Sequence, residues 1–188
     1  MSTETRQVFN TKEQTGKDIL AAINTISPVI SLIKKFGEEE KRFNEVSDRQ
    51  KRVFDEIEAI RHTREILSDE YVVNFLSNTL KEKQLLYLQL DQEKQNLEQN
   101  CKNYENEVVS YRKYAEKFRG WIDEDILTEF VLPKLETQNQ YWSILFLVYR
   151  TDYIDEVHTV ISYLKGINFH PDVLDDGWNG MLRYLKNN

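Results

Sequence analysis

The sequence has little of the material that several classes of fold and site require. It contains six glycines, three prolines and one cysteine among 188 residues. A single cysteine excludes a disulfide framework and any zinc site built from several cysteines. So few Gly and Pro residues disfavour a turn-rich β-sandwich or barrel, and the sequence has no glycine-rich phosphate-binding loop. These absences favour a helical fold.

The charge of the chain is negative and unevenly distributed. The net charge is −7, and residues 121–188 carry eleven acidic and five basic side chains. Acidic surfaces repel phosphate backbones, so nucleic-acid binding is disfavoured. The polar start at Met1 does not resemble a signal peptide, and the longest uncharged run, residues 19–33, is shorter than the roughly 20 residues that span a bilayer. We therefore expect a cytoplasmic protein.

The central part of the chain has the pattern of long helices that pack along one edge. Residues 38–119 contain neither Gly nor Pro. Apolar residues recur there at alternating spacings of three and four, which is typical of a coiled coil, so we predict coiled-coil helices over residues 38–120. These positions are called the seam below. The first block of the seam comprises Phe43, Val46, Gln50, Val53, Ile57, Ile60, Arg64 and Leu67. The second block comprises Leu76, Leu80, Lys83, Tyr87, Leu90, Lys94, Leu97, Cys101, Tyr104, Val108, Tyr111, Ala115, Phe118 and Ile122.

A break in the seam predicts a turn. The phase of the pattern resets between Leu67 and Leu76, where Ser68-Asp69-Glu70 is typical of the start of a helix. We therefore favour an elongated all-α bundle that contains a long coiled-coil helical hairpin. The pattern leaves open whether the seam joins two arms of one chain or two copies in a homodimer.

The two ends of the chain have different patterns. Residues 1–17 are polar and are predicted to be a flexible tail. Residues 18–37 are predicted to be an apolar helix, which Pro28 splits or kinks and Gly37 ends. Residues 121–188 are acidic, aromatic and divided into short apolar clusters, so we predict a C-terminal bundle of short helices.

The composition favours a non-enzymatic function in protein–protein interaction, assembly or inhibitory binding. We expect no cofactor and identify no catalytic residue. An acidic surface suits a basic protein partner. Because Trp and Tyr are common in binding hot spots, five aromatic residues are candidate partner anchors. They are Trp121, Trp142, Tyr149, Tyr153 and Trp178.

Two alternative functions rest on smaller sets of residues. The first is a membrane-active protein that inserts residues 19–36, an apolar segment that is uncharged over its first fifteen residues and then carries Lys34-Lys35. The second is a helical metal-dependent enzyme, because acid and histidine side chains one turn apart can share a metal ion. The candidate ligands are His62, Glu65, Asp155 and His158, for which ordinary solvated or paired side chains are the favoured interpretation.

Overall fold

The structure, a computed structural model, describes residues 3–121, 123–148 and 177–187. These residues form helices and connecting turns without any β-strand, which confirms the prediction of an all-α helical bundle. Two long helices pack against each other and short helices follow them. The α-helices are α1 (Thr3–Ile66), α2 (Glu70–Ala115), α3 (Glu124–Ile126), α4 (Gln138–Val148) and α5 (Gly177–Asn187). Between them lie two 3₁₀ turns (Glu116–Trp121 and Leu132–Lys134) and a π-helical turn (Leu127–Val131).

The chain divides into two compact units. The first, called here the terminal unit, comprises Met1–Gly37 and Tyr104–Asn188. The second, called the hairpin unit, comprises Glu38–Asn103. The connection between α1 and α2 lies within the hairpin unit.

An isoleucine stripe on α1 forms the centre of the terminal unit. Its members follow one another at spacings of four and three residues, as the inward face of a helix requires, and all are completely buried. Each such side chain contributes about 1.5–3 kcal/mol through burial. The π-helical turn, α4 and α5 supply the opposing apolar side chains, including Leu127, Ile144 and Leu185. The stripe comprises Ile19, Ile23, Ile26, Ile30 and Ile33.

The flexible tail expected over residues 1–17 is not what the structure shows, because α1 begins at Thr3. Contacts within the terminal unit account for the difference. The Lys12 ammonium is 2.7 Å from the Asp125 carboxylate. Gly16 is buried so close to Phe130 that a Cβ atom on the glycine would lie 2.5 Å from the phenylalanine Cβ. These partners are more than one hundred residues away in sequence, so the local polar pattern gave no sign of them.

Neither Pro28 nor Gly37 ends the first helix, so the expected split at Pro28 and the expected end at Gly37 were wrong. Pro28 lies inside α1 with its ring exposed, so solvent can hydrate the backbone carbonyl that lacks a donor. Gly37 is also inside α1 and is buried against the backbone of Lys186 in α5. Because the glycine has no side chain, the backbone of α5 can approach α1 closely at this position. The glycine therefore permits helix packing and does not end the helix.

The hairpin unit is an antiparallel pair formed by α1 and α2. In the contacts between the arms, later residues of α1 pair with earlier residues of α2, as an antiparallel arrangement requires. The Arg42 guanidinium is 2.7 Å from Glu93, and the Lys83 ammonium is 2.5 Å from Glu56. Its apolar cluster consists of seam positions from both arms, which are Val46, Val53, Ile57, Leu80, Leu90 and Leu97.

The charged members of the seam extend their ammonium groups to its edge. Lys94 Nζ lies 5.6 Å from the centroid of the Phe43 ring and 3.5 Å from Gln50 Oε1. Gln50 itself is buried and donates through Nε2 to Asp91 Oδ1 at 2.9 Å. The aliphatic stems of such lysines cover apolar surface while their charges remain near water.

Candidate interaction surface at the end of the hairpin unit

The connection between the two arms is short and well capped. Residues 67–69 join α1 to α2. The Asp69 carboxylate accepts a hydrogen bond from the Val72 backbone N–H at 3.1 Å, which satisfies one of the donors that a helix start leaves unpaired. Glu70 adds a negative charge in the first turn, where the helix dipole favours it. The capping side chain is therefore Asp69, within the Ser-Asp-Glu segment that the sequence indicates.

Around this turn the hairpin unit exposes five large apolar side chains. Tyr71 is 83% exposed, Ile66 70% and Phe75 62%. The exposed area of the five side chains is on the order of 500 Å², which is comparable to the largest apolar patch of a typical monomer, and such patches are often functional. We call this surface the apolar end patch, and it comprises Ile66, Leu67, Tyr71, Val72 and Phe75.

Helix geometry makes the members of the patch on α2 neighbours. Tyr71 and Phe75 are one turn apart, and Val72 is three residues before Phe75, so the three side chains share one side of the first two turns. The seam residues Leu76 and Leu80 are partly or fully covered. Val72 is one turn before Leu76 and lies at the border of the seam, whereas Tyr71 and Phe75 point away from it. The aromatic part of the patch is therefore distinct from the surface that holds the two arms together.

The seam ends before the arms do. Leu67 and Arg64, which the heptad spacing places in the seam, are both exposed. Arg64 lies in the last turn of α1 and Leu67 lies in the connection, and neither side chain is covered by the other arm. The regular spacing therefore continues past the last buried seam positions. This correction removes Leu67 from the core and places it in the apolar end patch.

The end of the hairpin unit that carries the patch has a net negative charge. Residues 55–83, the end of the hairpin on both arms, contain seven acidic and four basic side chains, for a net charge of −3. All seven carboxylates are exposed. Arg61 pairs with Glu58 at 2.6 Å and Lys83 pairs with Glu56. These pairings leave four carboxylates of the described structure without a basic partner and without a capping role: Asp55, Glu65, Glu70 and Glu82.

The predicted seam faces the chain's own core. Every described position of the second block is buried or half-buried, and Ile122 lies outside the described residues. Within the hairpin unit these positions pack against α1 of the same chain. A dimer formed through them would have to displace α1. The seam positions that the sequence predicts as a possible oligomer interface are Leu76, Leu80, Tyr87, Leu90, Leu97, Cys101, Tyr104, Val108, Tyr111 and Phe118.

The aromatic anchors expected from the sequence do not form a described surface. Trp142 is buried and stacks on Tyr184 of α5 with the ring centroids 5.4 Å apart, so its side chain belongs to the core of the terminal unit and is not a partner anchor. Trp121 and Trp178 lie in helical turns whose backbone alone is described. Tyr149 and Tyr153 lie outside the described residues.

The candidate metal ligands are not brought together in the part of the chain that the structure describes. His62 and Glu65 are exposed on α1 near the turn, and Asp155 and His158 fall outside the described ranges. No group of three or more His, Cys, Asp or Glu side chains within those ranges is arranged to hold a metal ion.

The apolar segment at residues 19–36 belongs to the core of the terminal unit. Its five isoleucines have no exposed surface. Among the described helices, one stretch within Thr11–Ile66 is long and apolar enough to cross a membrane by length and composition alone, a property that core helices of soluble proteins share. Burial therefore gives the segment a packing role in the structure as it stands.

No protein-family model matches this chain, and neither a curated protein nor a solved structure matches it significantly. Its function must therefore be argued from its own surfaces. The sequence contained one signal for the apolar end patch that the seam pattern obscured. Tyr71, Val72 and Phe75 are large apolar residues in positions that the heptad spacing leaves for polar side chains.

Proposed function

We propose that this protein is a non-enzymatic binding protein whose hairpin unit presents the apolar end patch to a protein partner. The exposure of Tyr71 and Phe75 beside a tightly capped turn carries this proposal. An exposed apolar surface of this size is often a binding site. Aromatic side chains are also the strongest contributors to binding hot spots.

We further propose that the hairpin unit is an antiparallel coiled coil that positions the patch. Support comes from the alternating spacing of the seam and from the burial of Val53, Leu80 and Leu90 between the arms. A coiled-coil arm presents its end at a fixed distance from its base without any catalytic cavity. The single cysteine and the acidic composition agree with our proposal that the protein resides in the cytoplasm.

Quantitative co-purification from cells of the native host tests this function. The full chain is compared with Tyr71→Ser/Phe75→Ser, which removes the aromatic part of the patch. The matched control is Leu85→Ser/Leu88→Ser, because Leu85 and Leu88 are also exposed on α2, at 59% and 64%, but lie beyond the patch.

We expect at least one protein that the wild type and the control recover equally and that the patch variant loses. Equal recovery of every protein by all three chains would contradict the proposed function. Because all four substituted side chains are exposed, circular dichroism should show the same helix content in each chain.

A second candidate function is membrane insertion of residues 19–36, which the length and apolar character of this part of α1 support. It requires the isoleucine stripe to leave the core. Liposome flotation of the wild type and of Ile26→Asp distinguishes the two functions. Flotation of the wild type that Ile26→Asp abolishes would favour insertion, whereas absence of the wild type from the lipid fraction favours protein binding.

A further inference from the structure

We propose that the apolar end patch binds a basic amphipathic helix of a protein partner, with the partner's apolar face on Tyr71 and Phe75 and its Lys and Arg side chains beside the hairpin's carboxylates. This inference rests on the proposed function and specifies the chemistry of the partner. The observation behind it is the combination of five exposed apolar side chains with exposed carboxylates and a net negative charge over residues 55–83.

The negative charge at the end of the hairpin unit favours a basic ligand over an acidic one. The hairpin unit has a net charge of −4, and residues 55–83 within it have a net charge of −3. Asp55, Glu65 and Glu70 have no basic partner in the described structure, so their fields are available to an incoming cation. Such charges raise the association rate of an oppositely charged ligand and repel an acidic one.

Two other occupants fit the surface less well. A second copy of the chain would bring acidic ends together, and about 500 Å² of apolar surface is below the roughly 800 Å² per partner of a stable interface. A membrane surface rich in anionic lipid would repel the exposed carboxylates at this end of the hairpin unit. A helix with an apolar stripe and flanking cations meets both the size and the charge of the patch.

The test is a fluorescence-anisotropy titration of the full chain with synthetic helical peptides about five turns long. One peptide is amphipathic and contains Leu and Lys. The second contains Leu and Glu in the same arrangement, and the third is the Leu/Lys peptide with its order scrambled to abolish the apolar face. Vesicles of phosphatidylcholine, with and without phosphatidylglycerol, replace the peptides in a parallel series.

Two chain variants separate the apolar and the charged contributions. Tyr71→Ser/Phe75→Ser is expected to weaken binding of the amphipathic Leu/Lys peptide at least about tenfold, as loss of aromatic hot-spot residues does. Asp55→Asn/Glu65→Gln/Glu70→Gln is expected to weaken it about fivefold at low ionic strength and to reduce the dependence of affinity on salt.

Matched controls show whether the effects belong to the patch. Leu85→Ser/Leu88→Ser removes exposed apolar side chains elsewhere on α2. Glu38→Gln/Glu45→Gln/Asp48→Asn neutralises three exposed carboxylates at the other end of the hairpin unit. Both controls should bind the Leu/Lys peptide as the wild type does.

Equal binding of the Leu/Lys and Leu/Glu peptides, or equal binding of the patch variant and the wild type, would overturn the inference. Absence of peptide binding while host partners still depend on Tyr71 and Phe75 would overturn the inference and leave the proposed function intact. Vesicle binding that requires these two residues, without any patch-dependent host protein, would overturn both.

Discussion

At Gly37 the absence of a side chain allows α1 and α5 to pack closely. The Cα of Gly37 faces the backbone of Lys186, and an added Cβ would overlap the carbonyl oxygen and lie 2.6 Å from the Cα and carbonyl carbon. The Lys186 ammonium lies 3.6 Å from the centroid of the adjacent Phe36 ring. Because the contact is with backbone, rotation of a side chain cannot relieve the overlap.

Replacing Gly37 by alanine should therefore destabilise the protein. In an ordinary helix interior Gly→Ala stabilises by about 0.5–1 kcal/mol. Here the forced separation of α1 and α5 should instead lower the free energy of unfolding by about 1–3 kcal/mol. Urea denaturation measures the change, with the exposed Asn44→Ala on α1 as a control that leaves stability unchanged or slightly raised. A more stable Gly37→Ala protein would contradict the close approach.

The Glu98–Lys102 pair gives a pH-dependent prediction at the same scale. Lys102 Nζ donates to Glu98 Oε1 at 2.8 Å, and this hydrogen bond, with the attraction of the ammonium charge, lowers the pKa of Glu98 below its ordinary 4.5. A lowered pKa means that the pair's contribution to stability is present above about pH 4.5 and disappears as the pH falls through the folded-state pKa.

Lys102→Gln should raise the pKa of Glu98 towards 4.5. Carboxyl chemical shifts followed by NMR during titration measure it. Because both side chains are more than half exposed, the free energy of unfolding should change little. Lys81→Gln is the control, since Lys81 is remote from Glu98 on α2. An unchanged Glu98 pKa in Lys102→Gln would show that the two side chains do not pair in solution.

At the scale of elements, two leucines on α2 distinguish the seam from the outward face. Leu90 is 3% exposed in the cluster between the arms, and Leu88, two residues before it, is 64% exposed. Leu90→Ala should lower the free energy of unfolding by about 2–4 kcal/mol through lost burial and a residual cavity. Leu88→Ala should change it by less than about 0.5 kcal/mol. Similar losses for both would mean that the assigned face of the helix is wrong.

The sequence predicted the helices whose apolar residues recur at a regular spacing along the chain. It failed where contacts with residues distant in the sequence determine the structure. The seam positions around Leu90 are covered, as the spacing of three and four requires. In contrast, the helix through Gly16 depends on Phe130, a residue whose proximity no local pattern encodes. The apolar end patch was missed because Tyr71 and Phe75 have the same chemistry as core residues, and only the structure shows that nothing in the hairpin unit covers them.

We expect the whole protein to be a monomer in solution. Within the hairpin unit the chain's own α1 occupies the seam, and the apolar end patch is too small and too acidic to hold two copies together. Light scattering coupled to size exclusion should give a mass near 22.5 kDa at micromolar concentration. Twice that mass, persisting in Tyr71→Ser/Phe75→Ser, would show a dimer interface elsewhere on the molecule.

The proposed function assigns different roles to the two units. The buried isoleucines make the terminal unit a folded core. In the proposal, the hairpin unit carries the surface that binds a partner. Substitutions in the core should therefore reduce partner binding only as far as they reduce the folded population, whereas substitutions in the apolar end patch should reduce binding without loss of fold.

The most direct test of the central claim is site-specific photo-crosslinking in cells of the native host, with a photoreactive phenylalanine analogue at position 75. The same analogue at the exposed polar Gln99 of α2 provides the comparison. We expect a discrete protein adduct from position 75 that is absent from position 99. Adducts with lipid alone, or the same adducts from both positions, would contradict the central claim.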